Sequence, residues 1–304
     1  MRWLIPLALS LAIAGCDRSQ IEAVNLSNEG DQAQKGGDLE GAIAKYEEGA
    51  RLDADNHRIH YRLVKAYRKK ENWEKVVEFA TKAEKADEKL NSKKTFAPYY
   101  FEHGYALSKL AGSGKGKWAD AKQPLETAVQ IDPNLSDAYF ELAEVLLRVD
   151  DEKGALENYT KAVERQPSNT SLYPSLADLY LRLQMVDAAE QVLKEGLSFA
   201  KESDKHLFEL RAFLGMVYAR KGDNNASLRE FEAAKKACGA CEEHREAYFY
   251  LGSALAGVTA RKNEAINELN RFQKLACSGS LAKKFGDQCS QARDLVSRLG
   301  GQLQ

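Results

Sequence analysis

The sequence of 304 residues has little of what several classes of protein require. Its net charge is −1, so it lacks the basic excess that binding to nucleic-acid phosphates needs. Proline is rare, with 6 residues, and 29% of the residues are charged, which is typical of a folded, mostly helical chain rather than a disordered one. The motifs HExxH and GxSxG are absent and no catalytic dyad is visible, so we predict no enzyme activity, no cofactor and no metal site.

The amino terminus carries one apolar run. Arg2 precedes it, and residues 4–14 are almost purely apolar. The run is too short to cross a hydrocarbon layer of about 30 Å as a helix, and polar residues follow it at once. We therefore predict that residues 1–15 are an export signal and take no part in the fold.

The end of this run, Ile13-Ala14-Gly15-Cys16, resembles the lipobox of bacterial lipoproteins. In that family the chain is cut before the cysteine, and the cysteine is lipidated. The resemblance implies that Cys16 anchors the protein to a membrane and that residues 16–22 form a lipidated tether. The alternative is an ordinary signal peptide followed by an unrelated cysteine.

The same resemblance implies a location in the bacterial cell envelope, with the protein facing the periplasm. Asp17 directly follows the cysteine, and in enteric bacteria an aspartate there tends to retain a lipoprotein at the inner membrane. Other bacteria sort their lipoproteins differently. The choice between inner and outer membrane therefore stays open.

A second feature of the sequence is internal repetition. The segments 37–56, 116–135 and 150–169 align with one another. Each has two small residues seven positions apart and one large residue between them. The small residues are Ala42 and Gly49, Ala121 and Ala128, and Ala155 and Ala162, and the large ones are Tyr46, Leu125 and Tyr159.

This pattern resembles the tetratricopeptide repeat, in which two helices approach closely at small residues and pairs of helices stack. The resemblance implies an all-α solenoid, a right-handed superhelix of helix pairs with a C-terminal capping helix. We place about seven helix pairs in residues 23–276, starting near residues 23, 57, 97, 136, 170, 208 and 245, and the cap in residues 277–304. Residues 86–96 and 111–118 are insertions.

The resemblance also implies a concave groove, lined by the first helix of each pair, in which an envelope protein would bind. Carried onto this sequence, the groove positions give Tyr61, Phe101 and Phe140 as aromatic candidates. The basic candidates are Lys65, Lys69, Lys109, Arg148, Arg182 and Arg220. Two alternatives stay open: the cations could be favoured because they end helices, where they suit the helix dipole, and the aromatics could pack between repeats. Ser27 and Asp31 stand where the carboxylate clamp of cytosolic relatives begins, so that clamp is absent.

The other four cysteines are Cys238, Cys241, Cys277 and Cys289. In an exported chain a cluster of four predicts two disulfides. We favour Cys238–Cys241 with Cys277–Cys289 because both pairs are local, while pairings across neighbouring turns stay open. Two more specific alternatives are a redox-active CxxC motif and a zinc site. Haem attachment is excluded because it requires a histidine after the second cysteine, and Glu242 follows Cys241.

These observations predict a non-catalytic envelope lipoprotein that acts as a scaffold or assembly factor for other proteins. In architecture it resembles the lipoproteins that help to assemble type IV pilus secretins, although no residue points to pili. The alternative is an accessory subunit of an envelope enzyme that builds polysaccharide or peptidoglycan.

Overall fold

The computed structural model of the chain describes residues 7–91 and 95–302, with side chains from residue 18 onward. Within these ranges all regular structure is helical, which confirms the predicted fold class. The helices are α1 (Leu7–Lys35), α2 (Leu39–Leu52), α3 (His57–Lys69), α4 (Trp73–Asn91), α5 (Ala97–Gly112), α6 (Trp118–Ile131), α7 (Ser136–Arg148), α8 (Glu152–Arg165), α9 (Tyr173–Arg182), α10 (Val186–Phe199), α11 (Leu207–Arg220), α12 (Asn224–Cys238), α13 (Glu246–Leu255), α14 (Lys262–Ala276), α15 (Leu281–Lys284) and α16 (Gly286–Arg298). Short 3₁₀ turns precede α9 and α14.

The chain forms two compact units, Met1–Arg165 and Gln166–Gln304. In the first unit, helices α1 to α8 pack in sequence order, each on the next, and are joined by short turns. Short turns between contacting helices make antiparallel pairs. Helices α3, α5 and α7 begin at residues 57, 97 and 136, which are the repeat starts expected from the sequence.

Small residues allow the two helices of each pair to approach. A Cβ atom added to Gly30 would lie 2.5 Å from Cε1 of Tyr46, and one added to Gly104 would lie 2.5 Å from Cγ of Leu125. These positions therefore admit only glycine unless the neighbour moves. In these two pairs the large residue of the second helix, Tyr46 or Leu125, fills the space that the glycine leaves.

The second unit contains helices α9 to α16, and α16 packs on α13 and α14. Its core includes Phe272, Phe285, Cys289 and Val296, so the last helix closes the stack with an apolar face. Disulfides join Cys238 to Cys241 and Cys277 to Cys289, which are the local pairings favoured from the sequence. Both bridges lie against this core.

The start of the predicted export signal and the side chain of the predicted lipid anchor are not among the described residues. Residues 1–6 and the side chain of Cys16 lie outside the described residues. The backbone of residues 16–22, predicted as a tether, belongs to α1. None of the described helices is both long and apolar enough to span a membrane.

Candidate partner-binding cleft

The first unit contains an open cleft of about 530 Å³. Its walls come from α1, α3, the end of α4 and the start of α5. Two of the predicted groove residues, Tyr61 and Lys65, line this cleft, and both lie on α3. The cleft is therefore where the described structure brings predicted groove residues together with exposed apolar surface.

Three rings form an aromatic cluster in the cleft: Tyr61, Phe96 and Tyr99. Their centroids lie 5.5 Å apart for Tyr61 and Phe96, 5.2 Å for Tyr61 and Tyr99, and 4.6 Å for Phe96 and Tyr99. Phe96 is 40% exposed although it is a large apolar side chain, and Leu90, which also lines the cleft, is 69% exposed. Exposed apolar side chains gathered in a concavity are typical of a binding surface.

The described parts of the predicted insertion, residues 86–91 and 95–96, contribute one wall of the cleft. Helix α4 continues to Asn91, and the buried carboxylate of Asp87 accepts hydrogen bonds from the backbone N–H of Thr95 at 3.1 Å and from its hydroxyl at 2.8 Å. The side-chain amide of Asn91 donates to the same carboxylate at 2.7 Å. This network fixes Thr95, so the next residue, Phe96, is held against the other two rings.

An ion pair spans α1 and α3 at the back of the cleft. The guanidinium of Arg62 donates to both carboxylate oxygens of Asp31, at 2.9 Å and 2.9–3.1 Å, and the hydroxyl of Tyr46 donates to the same group at 2.7 Å. Burial acts to raise the pKa of Asp31, but these hydrogen bonds outweigh it and hold the pKa below its usual value. The negative charge of Asp31 is thus satisfied within the protein.

Two cations of the cleft remain exposed. Arg58 and Lys65 take part in none of the ion pairs formed among the described residues, and the ammonium of Lys65 lies 5.0 Å from the centre of the Tyr61 ring. On the opposite side, Nδ1 of His57 lies 2.6 Å from the hydroxyl of Tyr99. Burial raises the pKa of the Tyr99 hydroxyl above its usual value, so this group is protonated at neutral pH.

The other predicted aromatics lie outside the cleft. Phe101 is buried, and the guanidinium of Arg68 covers its ring at 5.9 Å. Phe140 packs on Tyr159, with 5.4 Å between the ring centroids. These contacts agree with the alternative in which the aromatic residues pack against neighbouring side chains.

Most of the predicted cations stand at helix ends. Lys69, Arg148, Arg182 and Arg220 are the last residues of α3, α7, α9 and α11. In the second unit, Arg220 donates a hydrogen bond to the backbone carbonyl of Leu181, close to the end of α9. This geometry agrees with the alternative in which a cation stabilises a helix terminus.

The remaining first-unit cations also have intramolecular neighbours. Lys109 lies 4.4 Å from the ring centre of Tyr105, and Arg148 lies 5.4 Å from that of Trp118. Arg68 pairs with the buried carboxylate of Glu102, whose pKa is raised by burial. The positive charge of Lys65 also acts to lower the pKa of Glu102, so this acid lies near one of the predicted basic residues.

The sequence reasoning missed several residues of the site, among them Arg58, Asp87, Phe96 and Tyr99. Arg58 occupies the second position of its repeat, a groove-facing position in the resemblance, so the repeat register could have found it. Asp87 and Phe96 belong to an insertion without a repeat register, and no periodic signal marks them. No three His, Cys, Asp or Glu side chains in the described part of the chain are arranged to hold a metal ion.

Known proteins share the repeat and the fold of this chain. Residues 136–169 match the tetratricopeptide repeat family model, which confirms the resemblance seen in the sequence. No curated protein sequence matches the chain.

Several solved structures share the fold. The C-terminal part of a TPR repeat-containing protein from Cytophaga hutchinsonii is 13% identical, with 88% of this chain and 98% of that chain covered and a TM-score of 0.64. Pseudomonas aeruginosa pilF is 16% identical, with 73% and 93% covered and a TM-score of 0.56. A tetratricopeptide repeat protein from Parabacteroides merdae is 13% identical, with 92% and 99% covered and a TM-score of 0.54. At these identities the likeness concerns the fold alone.

Proposed function

We propose that this chain, whose fold is that of the tetratricopeptide repeat proteins, is a non-catalytic scaffold that holds a segment of a partner protein in its first-unit cleft. The observation that carries the proposal is the exposed ring of Phe96 beside the half-buried ring of Tyr61, both packed on the buried Tyr99 and flanked by the exposed cations Arg58 and Lys65. Aromatic and arginine side chains are the residue types that supply most of the binding energy in protein interfaces.

The proposal includes the bacterial envelope as the compartment and Cys16 as the lipid anchor. The lipobox-like sequence supports it, and so do the two disulfides of the second unit, because disulfides persist in oxidising compartments. A Cys16→Ser variant should leave the membrane fraction, and labelling with a palmitate analogue should be lost. Retention of the variant on membranes would contradict lipid anchoring.

The binding role is tested by crosslinking in cells. A photoreactive amino acid replaces Lys65 in the cleft, and in a matched control it replaces Lys153, an exposed residue of α8 that does not line the cleft. We expect an adduct with a specific envelope protein from the cleft position only. Equal adducts from both positions, or none, would contradict the proposal.

The identity of the adduct also tests the finer part of the proposal, an assembly role in a secretion complex or a type IV pilus-like complex. The second candidate function is that of an accessory subunit of an envelope polysaccharide or peptidoglycan enzyme. Its supporting observation is the same aromatic cluster, since aromatic faces can also stack on sugars. Binding of peptidoglycan fragments that is lost on Phe96→Ala, together with no protein adduct, would favour this second candidate.

A further inference from the structure

The acidic side chains of the cleft have hydrogen-bond partners within the protein, whereas two of its basic side chains form no ion pair among the described residues. Its two acids are paired inside the protein: Asp31 accepts from Arg62 and Tyr46, and Asp87 accepts from Thr95 and Asn91. Among the described residues, Arg58 and Lys65 have no such ionic partner. The charge that the cleft can still offer to an occupant is therefore positive, and its natural complement is a carboxylate.

The apolar part of the cleft lies beside these cations. Phe96 and Leu90 are more exposed than large apolar side chains usually are. The half-buried ring of Tyr61 extends this surface, and the buried ring of Tyr99 supports both rings from behind. An apolar side chain that covers this surface removes it from water, which favours binding in proportion to the area covered.

The spacing of the two cations limits where the carboxylate must stand. Arg58 and Lys65 are seven residues apart on α3, which is two turns of helix or about 10 Å. Tyr61 lies between them, so the apolar contact is about 5 Å along the helix from each cation. An extended peptide advances about 3.3 Å per residue, so this distance corresponds to one or two residues.

We infer that the occupant of the cleft is an extended protein segment with one large apolar side chain and a carboxylate within about two residues of it. The inference rests on the proposed binding function and specifies its partner. The carboxylate comes either from an Asp or Glu side chain or from the carboxyl terminus of the partner, because both offer the same two oxygens to Arg58.

The test uses two libraries of random peptides displayed on phage, panned on the purified full chain. One library displays the peptides internally and the other displays them with a free carboxyl terminus. We expect enriched peptides to combine Phe, Tyr, Trp, Leu or Met with a nearby Asp or Glu in the first library. In the second library, enrichment of a large apolar residue at or next to the terminus would assign the carboxylate to the chain end.

Matched variants then test the contacts with one enriched peptide, made synthetically. Arg58→Glu should weaken binding by about tenfold or more, whereas Lys153→Glu, which reverses an exposed charge on α8 outside the cleft, should not. Phe96→Ala should weaken binding similarly, whereas Phe199→Ala should leave it unchanged. Phe199 is a fair control because it is 43% exposed and belongs to the second unit.

Enriched peptides that lack acidic groups, that are basic, or that bind Arg58→Glu as well as the original chain would overturn the inference. Failure of both libraries would overturn it as well. The proposed function would survive either result if the photoreactive group at residue 65 still captured a specific envelope protein, so the two failures are distinguishable.

Discussion

The buried carboxylate of Asp87 accepts the backbone N–H of Thr95 at 3.1 Å, eight residues further along the chain. This hydrogen bond joins the end of α4 to the residue that precedes Phe96, and the Thr95 hydroxyl reinforces it at 2.8 Å from each carboxylate oxygen. The exposed wall of the cleft thus depends on a side chain that is itself buried.

Replacing Asp87 by alanine should therefore weaken the fold and the cleft together. The change removes several hydrogen bonds to a carboxylate and leaves a backbone donor unpaired, which should lower the free energy of unfolding by about 1–3 kcal/mol. Asp55→Ala is the control because Asp55 is an exposed acid that pairs only with Lys89, and its loss should cost at most about 1 kcal/mol. Urea unfolding of both variants measures the difference, and equal losses would contradict the role given to Asp87.

A second prediction concerns the contact between Gly104 and Leu125. A Cβ atom at position 104 would lie 2.5 Å from Cγ of Leu125, so Gly104→Ala should lower the free energy of unfolding by about 1–3 kcal/mol through overpacking. This loss should exceed the gain of about 1 kcal/mol that alanine brings to a helix.

Two further variants check that the cause is this contact. Gly112→Ala, on the same helix, meets nothing nearer than 3.7 Å and should be neutral or slightly stabilising. Leu125→Ala should be destabilising by itself, but in combination with Gly104→Ala the losses should be less than additive. Additive losses would mean that the two residues do not clash.

A third prediction follows from His60, which is buried in the first unit. Its Nε2 lies 2.8 Å from the carbonyl oxygen of Ala54, and its ring stacks on Phe79 at 6.0 Å. Burial lowers the pKa of His60, and this effect outweighs the hydrogen bond to Ala54, which acts in the opposite direction. The carbonyl can only accept, so Nε2 donates and the neutral ring carries its lone pair on Nδ1.

Because the folded pKa of His60 is below the unfolded one, the unfolded chain binds this proton more tightly. The free energy of unfolding should therefore fall as the pH falls below about 6.5, and the loss should continue until the pH reaches the folded pKa. His60→Gln keeps an N–H donor but does not titrate, so the difference in stability between it and the original chain should depend on pH. If that difference is constant from about pH 7 to about pH 5, His60 does not contribute to acid sensitivity.

A fourth prediction concerns the disulfides of the second unit. The bridge between Cys277 and Cys289, with a sequence separation of 12, should stabilise the unit by about 3 kcal/mol, and the shorter Cys238–Cys241 bridge by about 2 kcal/mol. Replacing each pair by serine and following thermal unfolding measures these contributions. Protein from an oxidising compartment should show no free thiol at these four positions until it is reduced, and four free thiols without reductant would contradict the bridges.

Much of the fold could be predicted from the sequence. Small residues such as Ala121 and Ala128, with Leu125 between them, recur with the repeat, and a helix pair cannot bury its apolar face alone, so stacking of pairs follows. The local pairing of Cys277 with Cys289 was also foreseeable, because neighbouring cysteines need no knowledge of the long-range packing.

The candidate site was less predictable. The repeat register predicted Tyr61, Lys65 and Phe101 as equivalent groove residues, and of these three Tyr61 and Lys65 line the cleft. Phe101 is buried, and Arg68, which pairs with Glu102, lies 5.9 Å from the centre of its ring. A pattern read along the sequence does not show which side chains of neighbouring repeats contact one another.

The sequence by itself determined the helical class, the period of the stack and the residues at which paired helices approach, because these depend on volume and periodicity along the chain. Only the tertiary structure decided which aromatic rings meet solvent and which cations keep an unsatisfied charge. Phe96 joins Tyr61 and Tyr99 because a buried carboxylate captures Thr95. Arg62 is neutralised and Arg58 is not because Asp31, on another helix, lies within reach of only one of them.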